Sequence, residues 1–144
     1  MSTSVAFSGA LVFLWLGMVV AISFIEAPLK FRAPRITIPL GLGIGRLVFR
    51  ALNSVESVLA IVLIVLAAAG GGWSTTALVG LGVAAGALTI QIVGVRPVLS
   101  KRTDAVLADP ENVPEQRSHA HLVYVGFELV KVAALITTGV SLLS

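Results

Sequence analysis

The stretch ALNSVESVLAIVLIVLAAAGGG, from Ala51 to Gly72, decides the class of fold. It is mostly apolar over about 20 residues, the length at which an α-helix crosses about 30 Å of bilayer hydrocarbon. Asn53 and Glu56 nevertheless stand near its beginning. Because lipid offers such groups no hydrogen bonds, the stretch predicts a membrane-spanning helix whose polar side chains need partners on other segments of the chain.

The whole chain has the composition of an integral membrane protein. Of its 144 residues, 57% are hydrophobic and 12% are charged, whereas about a quarter of the residues are charged in soluble domains. Four apolar segments of spanning length leave no room for a folded soluble domain. We predict an all-α, integral membrane four-helix bundle that forms one transmembrane domain over residues 1–144. The predicted helices run from about Val5 to Leu29, Arg46 to Ala69, Thr76 to Leu99 and His121 to Leu143, with loops at 30–45 and 100–120.

Basic residues mark one end of this predicted bundle. The termini and the turn AGGGWSTT carry no Lys or Arg, and all ten lie near the two longer loops or inside a helix. The positive-inside rule therefore predicts that both basic loops are cytoplasmic and both termini face outward, in what we expect to be a bacterial inner (plasma) membrane. The first segment lacks the basic start of a signal peptide, so we expect it to be retained as a span. This distribution accounts for the formal net charge of +3 without a nucleic-acid partner. The ten residues are Lys30, Arg32, Arg35, Arg46, Arg50, Arg96, Lys101, Arg102, Arg117 and Lys131.

The two predicted hairpins have the same orientation, which raises the question of an internal repeat. When residues 46–61 (RLVFRALNSVESVLAI) are aligned with residues 121–136 (HLVYVGFELVKVAALI), Asn53 falls on Glu128 and Glu56 falls on Lys131. Pro28 and Pro97 also occupy similar places near the ends of the first and third segments. Membrane helices rich in Val, Leu and Ala align easily, but the coincidence of polar positions favours a 2+2 repeat around an axis along the membrane normal.

Polar residues form a stripe on the second and fourth segments. With 100° per residue, Arg46, Arg50, Asn53 and Ser57 share one sector of the second helix, and Glu56 lies on its flank. The fourth helix repeats the pattern with His121, Tyr124, Glu128 and Lys131. Each of these two helices therefore has one polar face and one face that suits lipid.

The cost of exposing charge to lipid predicts where these side chains point. A charged residue at the centre of a membrane helix costs roughly 2.5–3.5 kcal/mol, whereas each Leu, Ile or Val contributes only about 0.3–0.6 kcal/mol to insertion. We therefore expect Glu56, Glu128 and Lys131 to face the bundle interior, with Lys131 between the two carboxylates. Arg96 lies nearer the basic end, where it closes the same cluster or extends outward to water.

Three interpretations of this cluster stay open at the level of sequence. The first is a transport or channel-like protein whose intramembrane cluster binds a small polar solute, an ion or a proton. The second is a structural or accessory subunit, in which the ion pairs only specify helix packing. The third is catalysis, although the pattern favours a function other than an enzyme. The candidate residues for binding or proton relay are Glu56, Asn53, Glu128, Lys131, Arg50, Arg46, Tyr124 and Arg96.

The remaining motifs predict no cofactor. The chain has no cysteine, and His119 and His121 are weak metal candidates because helical side chains two residues apart point about 160° away from each other. GLGIG (41–45) lacks the spacing of a dinucleotide-binding loop. Gly82 and Gly86 form a small-residue motif that fits close helix contact, either within the subunit or in a homo-oligomer.

The order of features resembles the transmembrane protein 205-like family of four-helix membrane proteins. The resemblance lies in FIEAPLKFRAPRI at the end of the first helix, VGVRPVLSKRTDAVL at the end of the third and HAHLVYVGFELVKVAAL at the start of the fourth. It implies a four-helix topology and an association with the handling of toxic metals or drugs, but no reaction. Glu128 and Lys131 depart from the family pattern, which has milder polar residues there.

The second helix is also similar to that of the membrane-associated glutathione and eicosanoid enzymes. RALNSVE supplies Arg50, Ala51, Asn53 and Glu56, with the interval from Arg to Asn one residue shorter than in that family. The resemblance implies an alternative function, a membrane-embedded transferase that holds a thiol such as glutathione or mycothiol through Arg46, Arg50, Asn53 and Glu56.

Overall fold

The structure is a computed structural model that describes residues 1–113 and 119–144, and within these residues it contains helices and no strands. Four long apolar helices confirm the predicted four-helix membrane bundle. Arg117, one of the ten basic residues, lies outside the described residues. The helices are α1 (Thr3–Lys30), α2 (Ile38–Gly70), α3 (Thr75–Ala108) and α4 (His119–Leu143).

Hydroxyl side chains begin three of the helices. The Oγ atoms of Ser2 and Ser74 accept hydrogen bonds of 3.1 Å from the backbone N–H groups of Val5 and Ala77, which are otherwise unpaired in the first turns of α1 and α3. Thr37 caps α2 in the same way. At the other end of α2, Gly71 takes φ 66°, a conformation that glycine adopts without steric cost.

Helix α2 begins earlier than the sequence predicted, at Ile38 and not at Arg46. The residues between them, GLGIG included, are helical because their glycines allow the end of α1 to pack closely. A Cβ atom added at Gly41 would lie 2.3 Å from the ring of Phe31, and one added at Gly45 would lie 3.0 Å from the Nζ atom of Lys30. The glycine-rich motif is therefore a helix contact surface.

Helix α3 also extends beyond its predicted end at Leu99 and continues to Ala108. Thr103 and Val106 on this extension are buried. Arg46 of α2 forms an ion pair with Asp104. The extensions of α2 and α3 therefore contact each other at the basic end. Much of the chain that was predicted to form loops is thus packed helix.

The helices follow one another around the bundle in the order α2, α1, α4, α3, so that α2 and α4 lie diagonally opposite. At one end, Ser74 Oγ and Ser141 Oγ are 2.6 Å apart, and Ser4 contacts Gly70. We call this end, which also holds both termini, the neutral end. The opposite end, where Arg46 meets Asp104, is the basic end.

The interior of the neutral half is apolar. Val12, Leu63 and Leu135 are fully buried there and belong to one hydrophobic core with Leu59 and Leu81. The outer surface of the bundle carries many exposed Leu, Ile, Val and Phe side chains. Such an outer surface suits contact with the lipid bilayer.

Small residues allow α4 to approach its neighbours closely. A Cβ atom added at Gly139 would lie 2.6 Å from the ring of Phe13 on α1, and one added at Gly80 would lie 2.1 Å from the Oγ1 atom of Thr138. Gly82 and Gly86, predicted to make such a contact, are exposed, and an added Cβ would meet no atom within 4 Å at either. The close contact of α3 within the subunit is therefore made by Gly80.

Replacing this glycine should destabilise the bundle. The Cβ atom introduced by Gly80→Ala would also lie 3.0 Å from the backbone oxygen of Ala134, which cannot move aside as a side chain can. We expect the free energy of unfolding in detergent to fall by about 1–3 kcal/mol. Gly126→Ala is the matched control because an added Cβ there meets nothing within 4 Å. Equal stability of the two variants would contradict the packing described here.

Helices α1 and α3 each contain a π-helical segment, Val20–Glu26 in α1 and Gln91–Val95 in α3. Each segment is followed by a proline, Pro28 or Pro97. A proline has no N–H, and its ring clashes with the carbonyl four residues earlier, which lies inside the π-helical segment in both helices. The two prolines thus account for a local widening of α1 and α3 at the depth of Glu128, which side chains of both segments contact.

Candidate functional site

Three ionisable side chains meet in the interior of the bundle. Glu56 and Lys131 are 0% exposed and Glu128 is 1% exposed. At about 1.5 Å per residue, Glu56 lies roughly 20 Å from the neutral end of α2, and Lys131 lies roughly 18 Å from the neutral end of α4. Both are therefore well inside about 30 Å of hydrocarbon. We call Glu56, Lys131 and Glu128 the buried triad.

Glu56 receives donors from three different helices. Its Oε2 atom accepts hydrogen bonds from Lys131 Nζ at 2.6 Å and from the indole N–H of Trp15 at 2.7 Å. Its Oε1 atom accepts a hydrogen bond of 3.0 Å from Asn53 Nδ2. Because α2 and α4 lie diagonally opposite each other, the contact of Glu56 with Lys131 crosses the centre of the bundle.

Glu128 receives its donors largely from the two π-helical segments. Ser23, in the segment of α1, donates to Glu128 Oε2, and Gln91, in the segment of α3, donates to Oε1 at 2.9 Å. Lys131 forms an ion pair with the same carboxylate. Gln91 Nε2 also donates to the backbone oxygen of Tyr124 at 3.1 Å. The widened turns thus place neutral donors against a carboxylate on the neighbouring helix.

A polar arm links the buried triad to the basic end. Asn53 Nδ2 donates to the hydroxyl of Tyr124 at 3.2 Å, and Asn53 Oδ1 accepts a hydrogen bond of 2.8 Å from Arg96. Arg96 also donates to the backbone oxygen of Arg46 at 3.4 Å. The ring of Tyr124 packs edge-on against Phe49, with centroids 5.6 Å apart. Asn53 therefore bridges a buried carboxylate, that of Glu56, and the guanidinium of Arg96.

A groove of about 300 Å³ opens where this arm reaches the outside of the bundle between α2 and α3. It brings two guanidinium groups to one place beside the amide of Asn53. We call this feature the groove. It is lined by Arg50, Asn53, Ser54, Ser57, Ile92 and Arg96.

The structure brings most of the predicted candidate residues into one hydrogen-bonded network, but not all of them. Arg46 contributes only its backbone oxygen, because its side chain is paired with Asp104. Arg50 lines the groove and does not reach the buried triad. The network consists of Glu56, Asn53, Glu128, Lys131, Tyr124 and Arg96, joined by Trp15, Ser23 and Gln91.

The four residues predicted to hold a thiol cosubstrate are separated. Glu56 is sealed inside the bundle and bonded to Trp15 and Lys131, while Arg46 is paired with Asp104. Only Arg50 and Asn53 of the four line the groove. The geometry therefore gives the glutathione-like alternative no common binding surface.

His119 and His121 lie in the first turn of α4, at the basic end of that helix. Among residues 1–113 and 119–144, no group of three or more His, Cys, Asp or Glu side chains could hold a metal ion. Glu26 Oε1 lies 3.8 Å from the Nζ atom of Lys30 on the same helix.

Sequence reasoning missed Trp15 and Ser23, the two donors from α1. Trp15 is the largest fully buried side chain in the described residues, and its position within a central apolar span is the available signal. A buried indole N–H needs an acceptor, so a tryptophan away from the membrane interface indicates a polar partner. Ser23 gives a weaker signal, because a serine in a membrane helix commonly bonds to its own backbone.

Comparisons with known proteins do not extend this description. The chain has no significant match to a protein-family model, to a curated protein or to a solved structure. The resemblance to the transmembrane protein 205-like family therefore rests on the sequence motifs and stays a prediction.

Proposed function

We propose that the protein is a small transport protein in which the buried triad binds and releases a proton during the transport cycle. The observation that supports this most is that two buried carboxylates, Glu56 and Glu128, share the single ammonium group of Lys131. Burying these charges in a membrane costs free energy, and ionisable residues that are kept there commonly have a function.

The charge of the triad favours a proton as its ligand. With all three groups ionised, the triad carries one net negative charge, and a proton on either carboxylate makes it neutral. Arg96 offsets this negative charge only from a distance, because its guanidinium donates to Asn53 and lines the groove. The Tyr124 hydroxyl accepts a hydrogen bond from the same amide. A metal cation would have to compete with Lys131 for the same oxygens, whereas a proton adds without displacing it.

A neighbouring acceptor also suits the protonated form. Gln91 Oε1 is buried and has no hydrogen-bond partner among the described residues, while the nitrogen of the same amide donates to Glu128. If Glu128 takes up a proton, rotation of the Gln91 amide presents this oxygen to the new O–H group. This rotation gives up the hydrogen bonds that Gln91 Nε2 donates to Glu128 and to the Tyr124 backbone oxygen, and in exchange it gives the new O–H group an acceptor.

The surroundings of the triad favour transport over a permanently open channel. On the basic side, Asn53 both contacts Glu56 and lines the groove. On the neutral side, the apolar core that includes Val12, Leu63 and Leu135 fills the bundle. The triad is thus closed to both ends of the bundle, with a thinner barrier on the basic side, which suits an occluded state of an alternating mechanism.

Orientation, repeat and assembly belong to the same proposal. We place the basic end in the cytoplasm of a bacterial cell by the positive-inside rule. The paired π-helical segments before Pro28 and Pro97 support an internal repeat. Gly82 and Gly86 face outward without a neighbour in the described chain, which suits contact with a second copy.

Proton flux in liposomes tests the proposal. Under an imposed membrane potential, we expect vesicles with the wild-type protein to acidify faster than empty vesicles, and Glu56→Gln to reduce the rate at least tenfold. Lys101→Gln is the control, since Lys101 is exposed on the extension of α3. Equal rates for wild type, Glu56→Gln and empty vesicles would refute proton transport.

A further inference from the structure

We infer that the groove is a binding site for a phosphate group, supplied either by the headgroup of an anionic lipid or by a free phosphate ion. This inference is independent of proton binding by the buried triad, because it rests on Arg50 and on the free donors of Arg96. The two guanidinium groups line one cavity of about 300 Å³.

The charges of the groove have no counter-ion within the described residues. None of the described residues that line it is acidic. Arg50 makes no hydrogen bond or ion pair through its side chain with residues 1–113 or 119–144, and Arg96 donates only to neutral oxygens, those of Asn53 and of the Arg46 backbone. Asp104, the nearby carboxylate on α3, is already paired with Arg46. Two positive charges therefore face the groove without a negative partner among residues 1–113 and 119–144.

The available donors match the geometry of a phosphate. A guanidinium carries five N–H donors in a planar fork, so Arg50 can offer all of its donors and Arg96 can offer those that it does not use for Asn53 and Arg46. The hydroxyl groups of Ser54 and Ser57 donate to backbone oxygens of their own helix. The arginines are thus the donors, and paired arginines favour phosphate through two parallel hydrogen bonds.

The depth of the groove fits a lipid headgroup. At about 1.5 Å per residue, Arg50 and Arg96 each lie roughly 30 Å from the neutral ends of α2 and α3. That distance equals the thickness of the hydrocarbon layer, about 30 Å, so the arginine end of the groove lies at the level of lipid phosphates on the basic side. Ile92 is exposed beside the arginines and offers an acyl chain an apolar contact. Anionic lipid is also concentrated in the cytoplasmic leaflet, where the proposed orientation places the basic end.

Lipid and phosphate titrations of the full chain in detergent test the site. By native mass spectrometry, we expect phosphatidylglycerol to bind about tenfold more tightly than phosphatidylcholine, and Arg50→Gln to remove that preference. Arg32→Gln is the matched control, because Arg32 is exposed and does not line the groove. Arg50→Lys keeps the charge without the fork and should retain part of the preference.

A calorimetric titration with inorganic phosphate separates the two sources. Binding of phosphatidylglycerol that depends on Arg50 supports a lipid site, and binding of inorganic phosphate with the same dependence supports a site for a free anion. The inference is overturned if neither ligand binds, or if Arg50→Gln and Arg32→Gln bind both ligands alike. Because these are binding measurements, their failure is distinguishable from an absence of proton flux.

Discussion

Replacing Lys131 with methionine should destabilise the protein more than any other single change proposed for it. The ammonium group of Lys131 is the only charged partner that Glu56 and Glu128 contact in the described residues, and all three side chains are buried. Lys131→Met keeps most of the side-chain volume but leaves two carboxylates without a cation between them. Breaking a buried ion pair in this way costs about 3–5 kcal/mol.

Unfolding of the purified protein in detergent by increasing fractions of sodium dodecyl sulfate measures this loss. The fluorescence of Trp15 is a suitable probe in a Trp73→Phe background, since its indole N–H contacts Glu56 directly. Lys101→Met, the same substitution at an exposed position, should change the free energy of unfolding by less than about 0.5 kcal/mol. A loss below about 1 kcal/mol for Lys131→Met would show that the triad is not buried and paired as described.

Removing all three charges together should restore most of that stability. The variant Glu56→Gln, Glu128→Gln, Lys131→Met has no ionised group in the centre of the bundle, while the two amides can still accept hydrogen bonds from Trp15 and Ser23. Replacing a buried ion network by neutral groups of similar volume is often neutral or stabilising. We therefore expect the triple variant to unfold within about 2 kcal/mol of the wild type.

The comparison of single and triple variants separates charge from packing. If the triple variant is as unstable as Lys131→Met alone, the loss comes from the packing of the lysine side chain and not from unpaired carboxylates. The double-variant Glu56→Gln, Lys131→Met completes the series, because it leaves Glu128 as the one remaining charge of the triad. We expect its stability to lie between those of the single and triple variants.

The inward direction of Glu56, Glu128 and Lys131 could be predicted from sequence because one strong physical effect decides it. Charged groups are far more costly in lipid than any single apolar residue is favourable, so the polar face of each helix must turn inward. The number of spans could also be predicted, because the thickness of the bilayer sets the length of apolar sequence that a spanning helix needs.

Features that depend on weak or distant interactions were harder to predict. The helical start at Ile38 depends on glycines that admit Phe31 and Lys30, and a glycine-rich segment has low intrinsic helix propensity when it is considered alone. The pairing of Arg46 with Asp104 joins residues far apart in sequence, and so it removes Arg46 from the cluster in a way that helical periodicity cannot show. Gly82 and Gly86 match the small-residue motif as well as Gly80 does, and only the three-dimensional arrangement selects Gly80.

We propose that the buried triad carries a proton for transport and does more than specify helix packing. The most direct test is proton flux through liposomes containing the triple variant Glu56→Gln, Glu128→Gln, Lys131→Met, once unfolding measurements have shown it to be folded. We predict a rate no higher than that of empty vesicles, beside a faster rate for the wild type in the same preparation. A folded, charge-free variant that moves protons as fast as the wild type would show that the buried triad does not carry the proton.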